Sequence, residues 1–151
     1  MIVLVTLTPL RFSLLAVVIV VVGFAYLFLR SGWVEVDERT FDRRVLRASR
    51  PALVYFDTAI ACRDGDWVFR KLSRRWRGVL DIFYVNSVEQ RRLAERYGVG
   101  PDVVFVLFER GREVKRVSAP EVIKAVTAKN NGSYSEEVFL TEMEIFANVR
   151  Y

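Results

Sequence analysis

The sequence predicts a mixed α/β domain, its sheet flanked by helices, with one transmembrane helix ahead of it and an extra C-terminal helix behind it. Three observations predict this. Residues 31–130 alternate short apolar runs of strand length with segments of helical periodicity. Phe12–Leu29 is a run of 18 residues without a charge. A stop signal, Asn130–Asn131–Gly132, separates residues 131–151 as a further amphipathic segment.

At a rise of about 1.5 Å per residue the run Phe12–Leu29 reaches roughly 27 Å as a helix, enough to cross a bilayer core. A cleaved signal peptide is the competing reading. The run is longer than an h-region of about 7–15 residues, and no small-x-small site precedes Ser31, so residues 1–30 are expected to be a retained anchor. Arg11 precedes the span, whereas Arg30, Arg39, Arg43, Arg44, Arg47 and Arg50 follow it. The bias of basic residues places the domain on the cytoplasmic side.

Within the domain, Trp33–Val36 has strand alternation, and Asp37 or Glu38 offers an acidic start to a helix through about Arg47, with Phe41, Val45 and Leu46 on one side. Ala52–Phe56 is a buried-strand run. Thr58–Asp66 is a loop containing Cys62, followed by a helix from about Gly65 to Trp76 that carries Arg70, Arg74 and Arg77 on its polar face. Leu80–Val85 follows as a strand, Val88–Tyr97 as a helix, and Val103–Phe108 as a continuous apolar strand. Glu109–Arg112 turns into a strand over Glu113–Val117, and Pro120 stands at the start of a helix through about Lys129. The predicted order is β-α-β-α-β-α-β-β-α.

Composition removes several classes of function. The net charge of +5 falls to +3 once Arg11 and Arg30 are set aside, and bases alternate with acids in Glu109–Glu113, so no nucleic-acid-binding stripe is expected. With no His, an imidazole base, a His-based triad and a His-ligated zinc are excluded. With Cys62 the one cysteine, an intramolecular disulfide and a cysteine-cluster metal site are excluded as well. No cofactor is expected.

The segments FDRRVLRASRPALVYF, VNSVEQRRLAERYGV and VFVLFERGREVKRV, in their order and spacing, resemble the first helix and central strand, the third strand and its helix, and the closing hairpin of the thioredoxin family. The resemblance runs from about Val34 to Lys129. It implies a thioredoxin-like mixed sheet and a site just after the central strand, where the family carries Trp-Cys-x-x-Cys. Here that stretch is Ala61–Cys62–Arg63–Asp64–Gly65, with a thiol at the attacking position alone, and that only with a loop one residue longer after Phe56. Without the insertion the two positions fall on Ala61 and Asp64. The family's buried acid is matched by Tyr55, and its cis-proline by Val103, with Pro101 two residues earlier.

Cys62 is the candidate catalytic residue. A helix start and Arg63 favour its thiolate, whereas Asp64 and Asp66 oppose it, and a lone cysteine beside alanines also serves as a small apolar filler. Asp57, Asp64, Asp66 and Asp102 are a fallback set for a hard cation, although they lack a spaced oxygen-ligand motif and also fit solvated loops. Gly98–Pro101 is a turn and not a phosphate cradle, and Trp67 and Trp76 are packing residues.

In the last segment Ser133 or Ser135 caps a helix whose stripe is Phe139, Met143 and Phe146, extended by Val138, Ile145 and Val149. It either packs back on its own domain or docks a protein partner or a second copy of the chain. The resulting expectation is a membrane-held binding or assembly module with a degenerate site. The alternative is a monothiol disulfide oxidoreductase or thiol sensor that uses Cys62.

Overall fold

The computed structural model describes residues 17–23, 34–58 and 66–148, and of residues 66–68 the backbone alone. The chain divides into two units, Met1–Ser31 and Gly32–Tyr151. In the first, residues 17–23 are helical (α1), and the six apolar side chains Val17 to Val22 are all exposed. Among the described residues no helix is long and apolar enough to cross a membrane. The rest of the span expected over Phe12–Leu29 lies outside them.

The second unit is a five-stranded mixed sheet with helices on both faces. Its elements are β1 (Val34–Glu35), α2 (Glu38–Phe41) continued by a π-helical turn (Asp42–Leu46), β2 (Ala52–Asp57), α3 (Asp66–Arg75), β3 (Asp81–Asn86), α4 (Arg91–Arg96), β4 (Val104–Glu109), β5 (Arg112–Ser118), α5 (Ala119–Lys129) and α6 (Glu136–Ala147). The strand order is β1-β3-β2-β4-β5. β1, β3 and β2 run parallel, whereas β4 and β5 are antiparallel to their neighbours.

Every residue of β2 is buried, as a central strand covered on both faces requires. Alternate side chains serve opposite cores. Leu53 and Tyr55 join Ile82, Phe105 and Leu107 under α3, α5 and α6, and Trp76, just past α3, is fully buried there. Ala52, Val54 and Phe56 join Phe83, Val85, Val106 and Phe108 under Phe41, Val45 and Leu93.

Local chemistry sets the ends of the helices. Asp37 caps α2 in a reciprocal box with Thr40, and Ser118 does the same for α5 with Glu121. The helix expected to run evenly to Arg47 widens instead, the Arg47 N–H donating to the Asp42 carbonyl five residues back. The helix expected from Val88 starts only at Arg91, because the Asn86 side chain accepts from the Val88 and Glu89 N–H groups and holds 87–90 in turns. A left-handed Gly98 closes α4, with Val99 N–H donating to Ala94 and Gly98 N–H to Glu95. The β4–β5 turn uses two residues with positive φ, Arg110 and Gly111, the pairing that matches strand twist.

Ser135 caps α6, which packs on its own domain through Phe139, Met143 and Ala147. Phe146 and Val138 are half-buried. Ile145, expected on the same stripe, is 62% exposed, and Val149 lies outside the described residues. The acids of α6 face basic neighbours: Lys71 pairs with Glu136 and Arg75 with Glu144 across to α3, and Lys129 with Glu142 across to α5.

Candidate functional site

Parallel strands whose carboxyl ends lie side by side leave a crevice beyond them, the common place for a site in such sheets. β2 and β3 end together, Asp57 opposite Asn86. Pairing of Phe56 with Val104 brings Val103 and the preceding Pro101–Asp102 to the same end. The loop with Cys62 leaves β2 here in sequence, but residues 59–65, and so Cys62, Ala61, Arg63 and Asp64, lie outside the described residues.

What is described at this end is a small polar group set against the core. Asp57 is 4% exposed and its Oδ1 has no hydrogen-bond partner among the described residues, and Ser87 Oγ, on the residue after β3, is likewise buried without one among them. The two are joined through the backbone, the Ser87 N–H donating to the Asp57 carbonyl at 2.7 Å. A buried oxygen left without a donor is costly, by about 1–3 kcal/mol. Sequence reasoning did not single out Asp57 as a buried group. An acid closing an apolar run reads as a solvated strand end, and only the register with Asn86 shows it enclosed.

The other sequence candidates separate. Tyr55 stacks on Phe69 and Phe105, with ring centroids 4.3 and 5.3 Å away, so an aromatic ring packs where the resemblance places a buried acid. Val103 is half-buried, and its carbonyl accepts from Ala119 N–H. No cis peptide bond occurs among the described residues, so Pro101 is trans. Asp102 is exposed whereas Asp57 is buried, and the described residues hold no group of three or more acids, cysteines or histidines able to take a metal. Trp76 is core, and the side chain of Trp67 lies outside the described residues.

A cavity of about 350 Å³ lies beside β1, lined by Glu35, Asp37, Thr40, Arg44 and Gln90. Three of its polar side chains are already engaged. Asp37 caps α2, and hydrogen bonds from the Thr40 side chain and then its backbone hold the Asp37 carboxyl below its usual range. The Gln90 side chain accepts from Glu38 N–H. This arrangement closes the junction of α2 with α4; among the described residues neither the Glu35 nor the Arg44 side chain makes a hydrogen bond or ion pair.

No protein-family model matches the chain, and no curated protein matches it significantly.

Proposed function

We propose that this chain is a membrane-tethered thioredoxin-like module that serves binding or assembly and not disulfide turnover. The observation that carries the reading is the sheet. Its element order, β-α-β-α-β-α-β-β-α, is the order that underlies the resemblance, with three parallel strands and a closing antiparallel hairpin. The chemical half rests on a single cysteine in 151 residues and on the aromatic stack that occupies the Tyr55 position. A sheet enclosed by two apolar layers persists without a dithiol, because burial at about 25 cal/mol per Å² holds it together.

The tether is supported by α1. Val17 to Val22 are six β-branched residues in succession, poor helix formers in water, yet they form a helix with every side chain exposed. In hydrocarbon a helix is the natural state, since the backbone has no other source of hydrogen bonds.

A second reading, a monothiol oxidoreductase or thiol sensor with Cys62 as nucleophile, is favoured by Asp57, a buried acceptor without a partner among the described residues at the strand end from which the Cys62 segment departs in sequence. In that reading the Cys62 thiolate attacks a substrate disulfide, forms a mixed disulfide, expels one thiolate, and is released by an external thiol. Titration of Cys62 with a thiol-reactive probe across pH, with a disulfide-reduction assay and Cys62→Ala as control, separates the two. The binding-module reading expects a thiol that titrates near its ordinary value of about 8.5 and activity equal to that of Cys62→Ala. A thiol reactive well below that value, with reduction lost in Cys62→Ala, overturns it in favour of the second.

A further inference from the structure

The cavity beside β1 stands at the carboxyl end of the parallel strands. Glu35 closes β1, Asp37 and Thr40 follow it, and Gln90 stands in the turns that follow β3. With Arg44 these residues line a space of about 350 Å³. Open α/β sheets hold ligands in the crevice outside their strand ends, and a cavity near the lower end of the usual range of about 300–1,000 Å³ takes one small molecule.

Its lining separates into groups that are spent and groups that are free. The Asp37 carboxyl is taken up by the Thr40 N–H at 2.8 Å and the Thr40 hydroxyl at 2.6 Å. Gln90 Oε1 accepts from Glu38 N–H at 3.1 Å, which leaves the amide NH2 as the end without a partner among the described residues. Glu35 and Arg44 are both exposed and opposite in charge, yet among the described residues they pair neither with each other nor with another side chain. Arg44 is carried by the π-helical turn Asp42–Leu46, a kind of turn that is frequent at functional sites. One carboxylate, one guanidinium and one amide NH2 therefore stand free around a single space.

We propose that this cavity binds a small zwitterion of amino-acid size, its ammonium group held by Glu35 and its carboxylate by Arg44, with the Gln90 amide as a further donor. The proposal depends neither on the tether nor on Cys62. Charge selects the ligand class. A simple anion would have to lie beside Glu35 and Asp37, and a simple cation beside Arg44. A molecule with both charges meets each wall with the opposite sign, and the planar guanidinium fork matches a carboxylate through two parallel bonds. The size of the space sets the upper limit, since a long peptide does not fit within it.

Gln90 is the one glutamine of the chain, so 15N in glutamine side chains gives a single amide signal that reports on the cavity. The full chain, in an uncharged maltoside detergent, is titrated with glycine, β-alanine, 4-aminobutyrate and 6-aminohexanoate, and with butylamine and butyrate as probes of one charge. The amino acids are expected to shift the Gln90 signal saturably, with one length preferred, and the probes of one charge to bind at least about tenfold more weakly. Glu35→Gln and Arg44→Gln, at exposed side chains without partners among the described residues, are each expected to weaken the preferred amino acid about tenfold. Arg43→Gln and Arg47→Gln, exposed but outside the cavity lining, are expected to leave its binding unchanged. No saturable shift with any amino acid overturns the proposal. So does equal binding of butylamine or butyrate, the behaviour of an ordinary charged surface. Binding that survives both Glu35→Gln and Arg44→Gln, or that falls as much in Arg43→Gln, places the ligand elsewhere and overturns it as well.

Discussion

Gly111 and the Leu46 carbonyl approach so closely that there is no room for a side chain between them: an added β-carbon would sit 2.7 Å from the oxygen. The glycine also holds φ at +76°. Gly111→Ala is expected to lose about 2–5 kcal/mol of stability, from a left-handed cost of about 1–2 kcal/mol and an overpacking cost of about 1–3 kcal/mol. Gly98 has φ +60° with nothing within 4 Å, so Gly98→Ala is expected to show the smaller loss alone, about 1–2 kcal/mol. Urea denaturation of the two variants side by side measures the difference; equal losses would refute the close contact.

Arg116 ties β5 to the end of α4. Its guanidinium donates to the Tyr97 carbonyl at 2.6 Å while holding Glu113 through two bonds, at 2.8 and 2.9 Å. Arg116→Ala is expected to cost about 1 kcal/mol, since the group is partly exposed, and to speed amide exchange at Tyr97–Val99. Arg116→Lys is expected to restore only part of this, because an ammonium cannot serve both partners in the plane of a fork.

α6 belongs to the core of the domain. Met143→Ala and Phe139→Ala are each expected to lower unfolding free energy by about 2–5 kcal/mol, whereas Ile145→Ala, on an exposed side chain, is expected to change it by less than about 0.5 kcal/mol. Thermal or urea unfolding reads all three. Unchanged stability in Met143→Ala would restore the alternative of a helix reserved for a partner.

Helix caps give the stability a defined acid limit. Hydrogen bonds from the Ser118 backbone and then its hydroxyl hold Glu121 below its usual 4.5, and Thr40 holds Asp37 below its usual 3.8. A carboxylate with a lowered folded pKa contributes fully above its unfolded value and loses that contribution as pH falls through the folded one. The stability gap between the protein and Glu121→Ala is therefore expected at neutral pH, to narrow below 4.5 and to close at still lower pH. A gap that widens on acidification would contradict the cap.

Much of the fold is legible in the sequence because its signals are local. The runs ALVYF and VFVLF are apolar on both faces, and each became a central strand. Ser135 is the cap where Ser133 or Ser135 was expected, and Pro120 stands in the first turn of α5, as expected. What escaped depends on contacts between distant segments. The π-helical turn after Phe41 has no composition of its own, and the late start of α4 follows from the side chain of one residue, Asn86. The site was less legible still. Asp57 and Ser87 become a buried pair only through the β2–β3 register, and Cys62, the residue on which the chemical expectation centred, lies outside the described residues.

The margins of the sheet have a consequence for how copies of the domain meet at high concentration. On one side β1 is two residues long, and on the other β5 carries Arg112, Glu113, Lys115 and Arg116 with a bulge at Val114 that breaks its regular ladder. A short rim and a charged, kinked one are poor templates for an incoming strand. Copies of the domain at high concentration are thereby hindered from pairing strand to strand through their backbones, which leaves side chains on the helical faces as the surfaces through which they meet.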